Sequence, residues 1–249
     1  MFEKYAEIYD KRGHMYHQAM RKWPDARHRE FASLMNVARI EQASPVVLDV
    51  PSGGGYLASY LPKGAKLISV DGASKFLESG KHDEAHQVIC AEHDNIPMDD
   101  ESADAILSLA GLHHIPDTLS VFQEWHRLLK KGGVLTIGDA QSGSPTTQFL
   151  DGVVNQFNSM GHRGDYLDTS QVKLLEQTGF QVEYSQEVSY PWEFKNCGQM
   201  LEFCRTLFCM DLEPSDDELL HAIQQSVGYS ETEHECHLHW ALFFIRAVK

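Results

Sequence analysis

The chain has 249 residues, with 21 Lys+Arg against 36 Asp+Glu and a formal net charge of -15; 42% of its residues are hydrophobic and 23% charged. These are globular proportions with enough apolar mass for a sizeable core, and they exclude a disordered or fibrous chain. Residues 1–45 hold eight basic against six acidic side chains and the remainder 13 against 30, so the acidic body repels phosphate backbones and anionic membranes, and neither nucleic acid nor membrane is an expected partner.

No apolar run approaches the roughly 20 residues that span a bilayer. The charged opening MFEKYAEIYDKRGH has no apolar stretch of the signal-peptide kind, which makes the cytoplasm the expected location. Cys90, Cys197, Cys204, Cys209 and Cys236 are odd in number and form no CxxC. They read as reduced, buried thiols. No repeat or linker divides the chain, so one domain is expected over 1–249.

In chain order, residues 2–12 and 14–22 read as two short helices, and Phe31, Leu34, Met35 and Ala38 mark the apolar face of a third. Pro45 stops it. Val46-Val47-Leu48 is a short buried strand ending in Asp49, and after PSGGG a helix is predicted from Tyr56 to Leu61. Leu67–Val70 is a second strand ending in Asp71; Val88–Cys90 and Ala105–Leu109 are a third and a fourth. The spacing of Val121, Phe122, Trp125, Leu128 and Leu129 predicts a helix from Asp117 to Lys130, closed by Gly132-Gly133. Val134–Ile137 is a fifth strand. Residues 140–168 read as loop with some helix, and a helix from Thr169 or Ser170 closes at Gly179. Gln181–Tyr190 and Leu238–Val248 alternate as the last two strands, with helices near 197–210 and 216–227 between them, the second opened by the capping box Ser215-x-x-Glu218. The expected architecture is α/β: a Rossmann-like, seven-stranded, mostly parallel sheet with helices on both faces. The last strand is antiparallel and returns beside the sixth, a helical lid or cap covers 1–40, and a helical insert precedes the last strand.

Two of the predicted strands end in a carboxylate, at the edge where open α/β sheets bind ligands. The loop Asp49-Val50-Pro51-Ser52-Gly53-Gly54-Gly55 lets backbone pass close under a ligand. Gly53-x-Gly55-x-x-Ala58 also fits a dinucleotide fingerprint, which would make the chain a nicotinamide-dependent oxidoreductase. Asp49, however, would repel a pyrophosphate and suits an ammonium group, while Asp71 is placed to accept from a ribose diol. A nucleoside with a cationic tail fits both acids, and S-adenosylmethionine is such a molecule.

The stretches VLDVPSGGG, SVDGAS, CAEHDNIPMDDESADAILSLAGLHHIPD and LLKKGGVLTIGD, in that order, resemble the class I S-adenosylmethionine-dependent methyltransferases of the small type-11 branch. Pro51 departs from the pattern, which usually has glycine there. The resemblance implies a cofactor-binding core over 46–140. In it Asp49 orients the methionine amino group, Gly53 and Gly55 allow close approach, and Pro51 alters one backbone contact. Asp71 holds the ribose and Gly72 leaves room for adenine, with Glu92 and His93 beside the ring. Ser108 and Leu109 pass the sulfonium. It further implies a lid carrying Tyr9 and Tyr16, which otherwise read as the packing residues of a surface helix.

His113 and His114, after the fourth strand, stand near where the methyl should point. Either one meets substrate, as an optional base, or both hold loop backbone. The run His234-Glu235-Cys236-His237-Leu238-His239 splits its ligand-type residues across two strand faces, so no coherent metal-ligand set is seen and a metal-free reaction is expected. Residues 141–168 and 195–230 read as acceptor-pocket or interface segments; their apolar spacing also fits core packing, and a homodimer is a further option. The expected activity is transfer of a methyl group from S-adenosyl-L-methionine to oxygen or nitrogen of a small or medium-sized acceptor. The alternative is a non-catalytic protein that binds S-adenosylmethionine or S-adenosylhomocysteine.

Overall fold

Short runs of Val, Ile and Leu make the centre of the molecule, as expected of strands buried on both faces. In the computed structural model, which describes residues 5–78 and 86–249, they form β1 (Val46–Asp49), β2 (Lys66–Asp71), β3 (His86–Cys90), β4 (Ala103–Leu109) and β5 (Leu129–Asp139). These five pair in parallel. The long β6 (Gln181–Phe194) and β8 (Cys236–Val248) complete the sheet in the order β3-β2-β1-β4-β5-β8-β6. β8 enters between β5 and β6 and runs antiparallel to both. An eighth strand not foreseen from sequence, β7 (Tyr229–Glu231), pairs with the outer part of β8.

Strand order reverses between β1 and β4. The chain leaves β1 toward β2 in one direction and returns at β4 to build in the other, which opens a crevice at the carboxyl ends of β1 and β4. Asp49 and Leu109 stand there.

Two apolar layers hold the sheet. One packs Leu34, Phe149, Trp192 and Phe203 on one face, and the other packs Val121, Phe122, Trp125 and Leu175 on the opposite face. The helices behind the first layer are α1 (Tyr5–Lys22) and α2 (His28–Ala38). A short α3 (Ser74–Leu77) follows β2, and α4 (Thr118–Leu128), capped by Asp117, lies in the second layer. After β5 comes a helical stretch of three pieces: α5 (Pro145–Gln148), a π-turn (Phe149–Val154) and α6 (Asn155–Phe157). Next are α7 (Thr169–Gln177), α8 (Cys197–Leu207) and α9 (Asp216–Gln225). The capping box predicted at Ser215 and Glu218 is formed.

Three local readings are corrected. The two short N-terminal helices are one, with Gly13 inside it; the ring of Phe76 packs 3.4 Å from where a Gly13 Cβ would stand. Residues 2–4 of the predicted first helix lie outside the described residues. The segment after the glycine loop is a five-residue 3-10 turn, Tyr56–Tyr60. Gly132-Gly133 do not close α4. That helix ends at Leu128, because Leu129 already pairs with Ala103 of β4, and the glycines lie inside β5. Sheet pairing at the buried Leu129 overrides the local helix pattern.

Candidate active site

The glycine loop leaves β1 with Gly53, Gly54 and Gly55 at φ of +56°, +110° and +74°, backbone that side chains rarely adopt. Asp71 braces it: one carboxylate oxygen accepts from the Gly53 N–H at 3.0 Å and the other from the Ala73 N–H at 2.8 Å. A cavity of about 40 Å³ opens between this loop, the end of β4 and α1; Asp49, Pro51, Ser52, Gly53 and Leu109 line it.

Asp49 is buried. Among the described residues no hydrogen bond or ion pair is seen at its carboxylate. Burial, with Asp71 beside it, pushes its carboxyl well above the usual range. A buried acid of this kind suits a cationic ligand group. The buried hydroxyl oxygen of Ser52, which lines the same cavity, also lacks a protein partner among the described residues. These unpaired groups fit the amino-acid end of S-adenosylmethionine.

The remaining predicted residues are less uniformly placed. A Cβ at Gly55 would meet His86 at 2.8 Å, so this glycine serves close packing beneath the loop. Asp71, Gly72, Glu92, His93 and Ser108 are not among the residues lining the cavity. Glu92 is exposed and His93 buried, and burial lowers the His93 imidazole to about 4. Pro51 finds its compensation in Gly111, where a Cβ would stand 2.5 Å from the proline ring.

Helix α1 closes the crevice from above. Its Tyr9, Tyr16 and His17 rings lie 4.5, 5.4 and 5.1 Å from the ring of Phe76. His17 Nδ1 is 2.7 Å from the Tyr56 hydroxyl. The Tyr16 hydroxyl accepts from Arg27 at 2.8 Å. Arg27 is itself buried and ion-paired to the fully buried Glu30, whose other oxygen accepts from the Trp192 indole N–H at 2.8 Å. The side chain of Tyr5 lies outside the described residues.

A second cavity, of about 100 Å³, lies on the other side of that wall. Leu150, Val154, Trp192, Leu207, Phe208 and Trp240 give it an apolar body; Arg12, His113, His114, His162 and Asp139 give it a polar end. The two cavities share Tyr9, Tyr16, Arg27 and Ala110.

At the polar end, Asp139, terminating β5, accepts from the His113 backbone N–H at 3.0 Å and from its Nδ1–H at 2.7 Å. It also accepts from the Ala140 N–H at 2.7 Å. The carboxylate fixes the proton on Nδ1 and leaves the His113 Nε2 lone pair available. His114 and His162 lie 4.1 and 5.6 Å from the His113 ring. Burial holds the imidazoles of His114 and His162 below their usual range, for His162 against a hydrogen bond to Asp151. The sequence offered no coherent ligand set; the fold supplies one by bringing His162, from the loop after α6, against His113 and His114. The run 234–239 is split as its alternation predicts, with Cys236 and Leu238 buried and His239 exposed.

Asp139, His162, Arg12, Gly111 and the Arg27–Glu30 pair escaped the sequence reading. Asp139 had a signal, since it is a third acid at a strand end. His162 had none, because no motif or periodicity in its loop links it to His113 and His114.

The strand order, with its crevice at the switch point and a last antiparallel strand inserted beside β5, is a fold shared with S-adenosylmethionine-dependent methyltransferases of known structure. Residues 48–137 match the family described as a methyltransferase domain, and that domain belongs to the type-11 branch, whose cofactor is S-adenosylmethionine. Over 107 residues the chain is 31% identical to a demethylmenaquinone methyltransferase of Staphylococcus epidermidis, a match covering 41% of this chain and 44% of that relative, less than half its length. An S-adenosylmethionine-dependent methyltransferase from Thermotoga maritima superimposes with a TM-score of 0.61 at 16% identity, over 98% of this chain and 99% of that one. A phosphoethanolamine N-methyltransferase from Haemonchus contortus, solved with S-adenosylhomocysteine, gives 0.54 at 15% identity, over 89% of this chain and 52% of that one. At such identities the structures share the fold. No helix among the described residues is long and apolar enough to cross a membrane.

Proposed function

We propose that the protein is an S-adenosylmethionine-dependent methyltransferase acting on a small or medium-sized molecule with an apolar, aromatic body and a weakly acidic oxygen or nitrogen. The observation that carries this reading is the wall of Tyr9, Tyr16, Arg27 and Ala110 common to both cavities. A donor on one side and an acceptor on the other would meet there. When bound, S-adenosylmethionine supplies a methyl group on a sulfonium that leaves as a neutral thioether.

Positioning does most of the work in such a displacement. Asp49 would hold the ammonium group and Asp71 the ribose, with α1 as the lid. In the second cavity the aromatic walls would hold the body of the acceptor, with Trp192 and Trp240 stacked 4.2 Å apart. The Trp240 indole N–H has no protein partner among the described residues and is a donor for a polar atom of the acceptor. His113 Nε2, oriented through Asp139, would take the proton of the acceptor's hydroxyl or amine.

The relative from Staphylococcus epidermidis acts on demethylmenaquinone, a ring compound, which agrees with an aromatic acceptor. Its match does not settle this chain's acceptor, because Leu150, His162, Trp192, Phe208 and Trp240 all lie outside the 48–137 domain. The test is incubation with methyl-labelled S-adenosylmethionine and a fractionated metabolite extract. A labelled small molecule is expected, and His113→Gln should lower its rate by about a hundredfold while leaving the affinity for S-adenosylhomocysteine near wild type. Tight cofactor binding with no labelled product from any fraction would overturn the reading in favour of a non-catalytic binding protein.

A further inference from the structure

We propose that His113, His114 and His162 together bind one divalent transition-metal ion, of the zinc or cobalt kind, at the polar end of the acceptor cavity. The three offer ligand atoms that all lie within 4.8 Å of one another. They come from two separate segments: the 3-10 turn after β4 and the loop after α6. Tetrahedral coordination with bonds of 2.0–2.1 Å sets nitrogens about 3.3 Å apart. The widest gap must therefore close by roughly 1.5 Å, a movement for side-chain torsions rather than for the fold.

What separates this cluster from a chance meeting of histidines is the support behind it. Imidazoles that bind metals commonly give their second nitrogen to a carboxylate, which fixes the ring and turns the other lone pair to the ion. Two of the three are held so: His113 Nδ1 on Asp139 at 2.7 Å, and His162 Nδ1 on Asp151 at 3.2 Å. Tyr166 donates a further hydrogen bond to Asp151.

The loop carrying His162 is docked for the purpose. The Asp165 N–H donates to the His113 carbonyl at 2.8 Å, and a Cβ at Gly164 would strike His113 and Tyr166 at 2.9 Å. Only glycine at 164 lets this loop sit so close.

Two carboxylates, Asp139 and Asp151, stand behind the imidazoles, and Arg12 donates to Asn158 Oδ1 at 2.7 Å and to the Gly161 carbonyl at 3.2 Å. Three protein ligands leave a fourth position, the pattern of sites that accept an exogenous ligand. With Arg12 beside it, that position suits an anionic oxygen. With the ion bound, His113 Nε2 is a ligand and no longer the base, and the ion would hold the acceptor by its oxygen instead; that role rests on the function proposed above, and binding of the ion does not.

The test uses the full-length, tag-free protein, stripped with EDTA and titrated with cobalt(II). Ligand-field absorption bands saturating at one ion per chain are expected, and zinc should abolish them. His162→Ala should remove the bands, and Asp139→Asn should weaken cobalt affinity about 10- to 100-fold. Calorimetry with S-adenosylhomocysteine verifies that both variants are folded, and His162→Gln repeats the test should the alanine variant fail to fold. Wild-type protein without bands, or bands that survive loss of the His162 imidazole, would overturn the site. Labelled product from protein that binds no ion overturns the metal and leaves the methyltransferase standing. A bound ion in a protein that methylates nothing does the reverse.

Discussion

Asp49→Asn should move ligand-free stability and cofactor affinity in opposite directions. The Asp49 side chain is 5% exposed, and Asp71 is the charged group that burial places beside it. An ionised carboxylate so placed costs the unliganded fold several kcal/mol at most, and the neutral amide removes that cost. We expect a gain of about 1–2 kcal/mol, which for a chain of this size raises the ligand-free melting temperature by roughly 2–8 °C. Binding moves the other way. A hydrogen bond to a charged group contributes about 1.5–3 kcal/mol, so affinity for S-adenosylhomocysteine should fall roughly ten- to hundredfold. Thermal melts without ligand and calorimetry with it read the two effects separately. The pH dependence supplies a third arm. The folded-state pKa of Asp49 lies above its unfolded value of 3.8, so the folded chain takes up this proton first. Its contribution to ligand-free stability therefore rises as pH falls from the folded pKa toward 3.8, while cofactor affinity falls over the same window. The difference between wild type and the asparagine variant isolates that contribution. A variant with lower ligand-free stability and unchanged affinity would refute the reasoning, because it would mean that Asp49 serves the fold and not the ligand.

Two further outcomes are expected. Gly111→Ala places a methyl group 2.5 Å from the Pro51 ring and should cost about 1–3 kcal/mol of stability; adding Pro51→Gly should recover part of it, and strictly additive losses in urea unfolding would show that the two residues do not touch. Burial lowers both His17 and His93 to about 4 from 6.5, so the unfolded chain binds more protons between those values. Their contribution, up to about 3 kcal/mol each, is complete above pH 6.5 and is lost as pH falls toward 4. His93→Gln should flatten that slope, and an unchanged slope would count against it.

The strand-end acids and the glycine loop were legible because their placement is local. Asp49, the glycines and Asp71 sit at strand ends, and a strand end can be read from a short apolar run and the residue that stops it. The parallel order followed from the alternation of strands and helices, and the antiparallel last strand from the length of the insert before it. What failed were features set by partners distant in sequence. Leu129 looks helical until Ala103 pairs with it. Pro51 looks like a defect until Gly111 is seen against its ring. His162 is 48 residues beyond His114, and no periodicity links them. Its place depends on Arg12, from the first helix, which holds Asn158 and the Gly161 carbonyl and so pins the loop that carries it.

The same dependence explains why the meeting point of the two cavities is built from the N-terminal helices and one strand end. Sheet backbone alone cannot supply a wall that is thin, shaped and electrically quiet. Arg27 lines both cavities, and a free guanidinium there would repel a sulfonium and trap an anionic acceptor. Its ion pair with Glu30 cancels most of that charge locally. The remaining Glu30 oxygen is tied to the Trp192 indole, which fixes a wall of the acceptor cavity to the same pair. Opposite them Ala110 has φ +52°, a region uncommon for residues with a side chain and typically held only by its surroundings. Its N–H donates to the Gly138 carbonyl at 2.8 Å, which anchors it to β5. Ala110 thus keeps a single methyl group at the wall while Gly111 turns the chain past Pro51. The wall common to both cavities is therefore built by residues outside the glycine motif, from α1, from Arg27 just before α2 and from Ala110 after β4.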